Sequence, residues 1–312
     1  MQLIPQMILV GIVNTDRNRD YTPTYAPEQL GTFRFPTSGK ADAFLRFLKS
    51  ELFPLIDKNY RTEPFRIISG WSLGGLLTVH TYLYQPQLFS AYLAISPSLW
   101  WDEDLYVRRA DSVLTYGHVS EKPMVVTLGA LEGGDMGRSV RDGFVPLMKE
   151  KLNDQSAFTF VEIPEESHSY VPYKAFYVGL QSVFSDWVMP NEVLDQGWAG
   201  IKTFFEDQSA KYGYQIDIPE SAYFRLASRY YNAGDRSKAV EIAKIYVERF
   251  PQSSYAHYYL GIRAKQNGDL EMAKQNFQEA MGLEAGLPDP DRERILNCQI
   301  LLKDIEEALL KK

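Results

Sequence analysis

The segment Gly70-Trp71-Ser72-Leu73-Gly74-Gly75 is where this sequence most directly suggests covalent chemistry. Phe65 to Ser69 before it reads as a short strand, and Leu73 to Tyr84 after it as a helix buried on most sides. A serine between strand and helix, with glycine on both sides, sits in a sharp, strained turn. Its hydroxyl is then pushed into a cleft above the sheet. The Leu73 amide, at the helix N-terminus, points at the same place and can meet a developing oxyanion. Without that strand-then-helix context the same residues are a Gly-Ser turn with no chemistry.

Serine is a poor nucleophile until a base takes its proton, so a histidine is required. The chain has four. His80 lies too far along the helix after Ser72 to turn back and reads as a packed or surface side chain. His118 falls in a Tyr-Gly-His loop expected to be exposed, and His257 in the helical C-terminal part. His168 follows the last strand and precedes the last helix of the first part, and it is the candidate base. An acid from the loop after the intervening strand would hold the imidazole tautomer. Gly129-Ala130-Leu131-Glu132-Gly133-Gly134-Asp135 offers Glu132 first and Asp135 second; either could instead be a solvated carboxylate, with a Ser-His dyad acting alone.

The elements that must position these residues alternate. Met7 to Val13 is a continuous apolar run, as expected of a buried parallel strand. Lys40 to Lys58 has helical spacing, with Ser38 a candidate cap. Ala91–Ile95, Met124–Leu128 and Phe158–Ile163 read as strands, and Val140–Leu152 and Tyr173–Trp187 as helices. Strands and helices in alternation predict an α/β domain over residues 1–188 with a mostly parallel sheet flanked by helices. Residues 189–220 read as a linker holding one helix, from Trp198 to Tyr212.

Beyond it the chain repeats. Ala222 and Ala256, Leu226 and Leu260, Arg229 and Arg263, Gly234 and Gly268, Asp235 and Asp269, and Ala239 and Ala273 are each 34 residues apart. That period, with Gly-Asp between helices and Ala where they cross, resembles the tetratricopeptide repeat. Residues 221–312 are therefore expected to form two repeat units and a capping helix from Arg292 to Leu310. Two units are few for a free-standing array, so packing on the first domain is expected. Generic helical hairpins are the bland alternative.

Composition narrows the function. Lys plus Arg number 33 against 40 Asp plus Glu, a net charge of −7 with no long basic run, which disfavours nucleic acid as a partner. Cys298 is the single cysteine, so neither an internal disulfide nor a cysteine zinc cluster is expected. No apolar stretch approaches the roughly 20 residues of a membrane span. The first residues lack a signal peptide's basic start and small-residue cleavage site. Read as written, the chain is expected in the cytoplasm.

Several ordered motifs carry a family resemblance over about residues 1–187. They are Pro5-Gln6-Met7-Ile8-Leu9-Val10-Gly11-Ile12, the stretch Asn14 to Pro23, Gly70 to Gly75, and Ser96-Pro97-Ser98-Leu99-Trp100-Trp101. Together they resemble the esterase family that holds esterase D, feruloyl esterases and enterochelin-esterase-like (IroE-like) serine hydrolases, in particular the last group. The resemblance implies an α/β-hydrolase fold with Ser72 as nucleophile, His168 as base and Glu132 at the acid position. It also implies a pocket wall at Ser96 to Trp101. Trp71, Trp100 and Trp101 are then candidate substrate-facing aromatics, with core packing the alternative. Arg17 and Arg19 are candidate anchors for an anionic substrate, with a solvated loop equally open.

By the same resemblance Met7–Val13 and Phe65–Ser69 are the fourth and fifth strands of the fold. The first three strands, and the loop donating the second oxyanion amide, are then missing. The expectation is an N-terminally incomplete domain. A signal peptide could precede it, leaving a periplasmic or secreted location open.

The leading expectation is a serine hydrolase of carboxylic esters, siderophore-type or aryl, needing no metal or organic cofactor. The helical segment would take a protein partner or self-associate. The alternatives are a thioesterase or acyltransferase on the same residues, and a non-catalytic interaction module on a degenerate hydrolase scaffold.

Overall fold

The computed structural model of the chain describes residues 3–29, 33–116, 122–152 and 157–310. The chain divides after Val188 into two compact units. The first opens with a helical turn α1 (Arg17–Tyr21) and a small antiparallel ribbon, β1 (Glu28–Gln29) with β2 (Phe33–Arg34). Next comes one long helical stretch, α2 (Ala41–Phe47) and α3 (Phe53–Asn59), joined through a π-helical turn at Leu48–Leu52. Then β3 (Ile67–Trp71), α4 (Leu73–Tyr84), β4 (Ala91–Ile95), α5 (Trp101–Tyr116) and β5 (Met124–Gly129) alternate. The short α6 (Gly134–Gly137) continues through a second π-helical turn into α7 (Val145–Lys151), followed by β6 (Phe158–Ile163) and α8 (Val171–Val183).

Strands β3, β4, β5 and β6 form one parallel sheet in that spatial order. Every residue of β4 and β5 is buried, because helices cover both faces of a parallel sheet. That explains their uninterrupted apolar sequences. α4 packs on β3 and β4, and α8 on β4, β5 and β6. All four strands run the same way, so the segments following them emerge along one edge of the sheet. In such sheets the cleft outside the carboxyl ends is where ligands bind.

Two expectations need correction, and one element is additional. Met7–Val13 is not a strand: it has no sheet partner among the described residues, and Leu9 and Val13 are 83% and 95% exposed. An apolar run specifies burial only when a neighbouring strand is there to pair with it. Ser38 does not cap a helix; it is buried and its hydroxyl accepts from the Ala26 amide at 3.0 Å. α5 was not foreseen, because Asp102, Glu103 and Asp104 break its pattern. Their φ values of 49, 54 and 60° are left-handed.

The second unit, from Met189, is helical: α9 (Gly197–Tyr212), α10 (Glu220–Asn232), α11 (Arg236–Arg249), α12 (Ser254–Gln266), α13 (Leu270–Ala285) and α14 (Arg292–Leu309). α12 begins and ends 34 residues after α10, and α13 begins 34 after α11. The two hairpin turns are alike. Gly234 and Gly268 take φ of 86 and 88°, and the next residues, Asp235 and Asp269, cap the following helices by accepting from Lys238 and Met272 amides. Ala222, Ala239, Ala256 and Ala273 are all buried at the crossings. α14 covers Phe277 and Ala280 with Cys298, Leu302 and Ile305.

Candidate active site

β3 delivers its chain straight into α4, and the single residue between them is Ser72. Its φ of 60° and ψ of −117° are strained for a residue with a side chain. Neighbours hold it there: its amide donates to the Ile95 carbonyl at 3.0 Å, and its carbonyl accepts from Leu76 at 2.9 Å and Ser98 at 3.1 Å. The flanking glycines divide their roles unevenly. A Cβ on Gly70 would lie 2.1 Å from the Gly74 carbonyl oxygen, and one on Gly75 would lie 2.8 Å from Pro97. A Cβ on Gly74 would meet nothing within 4 Å. Gly70 therefore lets strand and helix approach, while Gly75 lets α4 approach the segment after β4.

The histidine comes from the loop after β6. Glu165 at φ 61° turns the chain, and Val171 opens α8 by donating to the Ser167 carbonyl. His168 lies between, its side chain 35% exposed and one face covered by the Trp71 ring at 5.1 Å. Nε2 stands 3.1 Å from Ser72 Oγ. Nδ1 stands 2.7 Å from Glu132 Oε2.

Glu132 comes from the turn after β5 and is almost fully buried. Its other oxygen, Oε1, accepts from the Gly129 amide at 2.8 Å and from the Ser96 hydroxyl at 2.6 Å. The two loops approach so closely at Gly129 that a Cβ there would sit 2.4 Å from the Glu166 carbonyl oxygen. Burial raises the Glu132 carboxyl, but the hydrogen bonds from His168, Ser96 and Gly129 outweigh it and hold the group below the usual glutamate range. An ionised carboxylate only accepts, so the Nδ1 atom carries a proton, and in the neutral imidazole the Nε2 lone pair then faces the serine hydroxyl. Chemically, this arrangement can draw the proton from Ser72 and hold the resulting imidazolium.

Of the other sequence candidates, Asp135 is on the surface, paired with Arg138 at 3.1 Å, and takes no part in this chain of hydrogen bonds. Leu73 begins α4, so its amide is among the first-turn groups without an intrahelical acceptor. Trp101 is fully buried: its indole N–H donates to Thr24 at 3.0 Å and its ring meets Phe35 at 5.1 Å. It is therefore a core residue, not a pocket wall. Trp100 is half-buried and lines a cavity of about 430 Å³ with Tyr25, Glu28, Asp102, Asp104 and Arg138. Arg17 is exposed on α1, and Arg19 is bound to Asp20 at 2.6 Å.

His80 is buried, between Asp42 at 2.9 Å and the Tyr106 hydroxyl at 2.8 Å, away from Ser72. His257 bonds Asn276 and the Pro251 carbonyl in the second unit. His118 lies outside the described residues.

The reading of Ser96 to Trp101 as a pocket wall gave Ser96 and Ser98 no part in the hydrogen-bonded chain. Both are fully buried just after β4, and the Ser98 hydroxyl is 3.2 Å from Ser72 Oγ. The available signal was position, since Ser-Pro-Ser ends the strand that pairs with β3. Among the described residues no three His, Cys, Asp or Glu cluster as metal ligands, and no helix is long and apolar enough to cross a membrane.

A parallel sheet whose strand-end loops bring a serine elbow, a carboxylate and a histidine together is the α/β-hydrolase arrangement. The chain belongs to the Putative esterase family, whose model matches residues 2–170. Over 137 residues it is 32% identical to the ferri-bacillibactin esterase BesA of Bacillus subtilis, covering 40% of this chain and 47% of that protein. Over 121 residues it is 29% identical to the siderophore triacetylfusarinine C esterase of Aspergillus fumigatus, covering 37% and 39%. The chain thus spans less than half the length of these two relatives. Among solved structures it resembles an IroE-like serine hydrolase from Shewanella oneidensis, with a TM-score of 0.61 at 25% identity over 78% of this chain and 79% of that one. An uncharacterised protein from Capnocytophaga ochracea shares the fold over 86% of this chain and 76% of its own, with a TM-score of 0.50 at 14% identity.

Proposed function

We propose that this chain hydrolyses carboxylic esters through an acyl-enzyme on Ser72. The observation that carries the reading is the continuous path Ser72 Oγ, His168 Nε2, His168 Nδ1, Glu132 Oε2, with steps of 3.1 and 2.7 Å across the two hydrogen bonds. Ser72 Oγ attacks the ester carbonyl while His168 takes its proton. The Leu73 amide faces the oxyanion that forms. The tetrahedral adduct then collapses, and His168 gives the proton to the departing alcohol. Water repeats the sequence on the acyl-enzyme and releases the acid. No step requires a metal or an organic cofactor.

The substrate we propose is a siderophore-type ester, on the strength of the named relatives, with the Trp100 and Tyr25 cavity taking one of its aromatic groups. The second unit, with its two 34-residue hairpins, is proposed as a tetratricopeptide-like surface for a protein partner or a second copy.

Fluorophosphonate treatment followed by intact mass and peptide mapping tests the reading. One adduct on Ser72, absent in His168→Ala, is expected. An unlabelled, folded protein would discard it. Hydrolysis of ferric and iron-free triscatecholate esters then tests the substrate class.

A further inference from the structure

Building on the esterase reading, we infer that Ser98 is a second catalytic serine, whose hydroxyl drives release of Ser72 from the acyl-enzyme. Glu132 accepts from Nδ1, so in the neutral imidazole that acts as base Nε2 is the acceptor of the Ser72 proton. The Ser72 hydroxyl has one proton, and it is committed to His168. The contact between Ser72 Oγ and Ser98 Oγ, 3.2 Å, then runs in one direction: Ser98 donates and Ser72 accepts. Ser98 is fully buried, and among the described residues its hydroxyl has no other hydrogen-bond partner. It is held in place by its own amide, which donates to the Ser72 carbonyl at 3.1 Å, and by its carbonyl, which accepts from Trp101.

A donor aimed at the nucleophile oxygen does not act equally on both halves of the reaction. In the free enzyme Ser72 Oγ already accepts this hydrogen bond. Attack on the ester starts from that stabilised state, so the bond largely cancels between ground and transition state. In the acyl-enzyme Oγ is an ester oxygen, a weaker acceptor. When the second tetrahedral adduct collapses, the bond from the acyl carbon to Oγ breaks and its electron pair returns to Oγ. The proton held on His168 Nε2 passes to Oγ, and the carboxylic acid leaves. Negative charge grows on Oγ during this step, and the Ser98 hydrogen bond strengthens with it. The proton of Ser98 stays on Ser98 throughout.

The test is pre-steady-state hydrolysis of p-nitrophenyl acetate by the full chain. In Ser98→Ala the burst rate constant, which reports acylation, should stay within about threefold of the unsubstituted protein. Turnover should fall about 10- to 100-fold, the range for one hydrogen bond to a charging oxygen. KM should fall with kcat, and intact mass should show the acetyl adduct accumulating on Ser72. Ser98→Thr keeps a hydroxyl and should restore turnover. Ser98→Cys, a weak donor of similar shape, should accumulate the adduct even if Ser98→Ala does not fold. An equal fall in burst and turnover, or no change in either, would overturn the inference while leaving the esterase reading intact. Absence of any Ser72 adduct in the unsubstituted protein would overturn both.

Discussion

At the scale of single residues, the site rests on a serine that the backbone alone would not hold. A φ of 60° at Ser72 costs on the order of 1–3 kcal/mol, and persists because Ile95, Leu76 and Ser98 bond its peptide groups. If Ser72 and His168 act as a unit, Ser72→Ala and His168→Ala should each lower kcat/KM by about 10³-fold or more. The double variant should lose little beyond either single one, which steady-state kinetics will show. Asp135→Asn should stay within about twofold, since it removes only a surface ion pair. Glu132 gives a pH signature. Its carboxyl is held below the usual range in the folded chain, so its ionised form stabilises the fold above the unfolded value of about 4.3. That stability is lost as pH falls through the lower, folded value. Glu132→Gln cannot titrate, so its deficit in Tm should shrink as pH drops below about 4.3. A deficit constant from pH 7 to pH 3 would refute the carboxylate assignment.

At the scale of elements, the site depends on how closely a strand and a helix can approach. Gly70 stands under the Gly74 carbonyl with no room for a methyl group, whereas Gly74 has open space. Gly70→Ala should therefore force β3 and α4 apart and cost about 3 kcal/mol or more, with labelling of Ser72 lost. Gly74→Ala should be neutral or stabilise by up to about 1 kcal/mol, because alanine is the better helix former. Chemical denaturation of the two variants distinguishes these outcomes, and equal effects would contradict the packing described. The same glycine pattern that signalled an elbow in the sequence thus contains one position fixed by contact and one that is not. Sequence spacing shows which residues are glycine but not which of them meets a neighbour.

At the scale of the whole molecule, each of the two compact units has a hydrophobic core among its described residues. One is built on Leu76, Tyr92, Trp101 and Val126, the other on Ala264, Phe277 and Cys298. Calorimetry should therefore resolve two unfolding transitions. Gly268→Ala, which puts a side chain at φ 88°, should lower one transition by about 1 kcal/mol of stability and leave the other in place. Gly70→Ala should move the other. A single transition shifted by both variants would show that the units unfold as one.

The sequence by itself determined the alternation of strand and helix in the first unit and the 34-residue rhythm of the second. Both follow from local spacing: apolar runs read as buried strands, and a Gly-Asp turn recurs at a fixed interval. It also singled out Ser72 and His168 and put Glu132 ahead of Asp135, because a serine between glycines and the order of the following loops are visible along the chain. Only the tertiary structure decided that Glu132, and not Asp135, faces the imidazole, since Glu132 lies in the turn after β5 and Asp135 three residues on in α6, and nothing local says which of them meets the loop after β6. It also placed Trp101 in the core, left Met7–Val13 unpaired, and set Ser96 and Ser98 against the carboxylate and the nucleophile. These were hidden for one reason: parallel pairing brings together strand ends that are distant along the chain, and no local pattern records which side chains meet there.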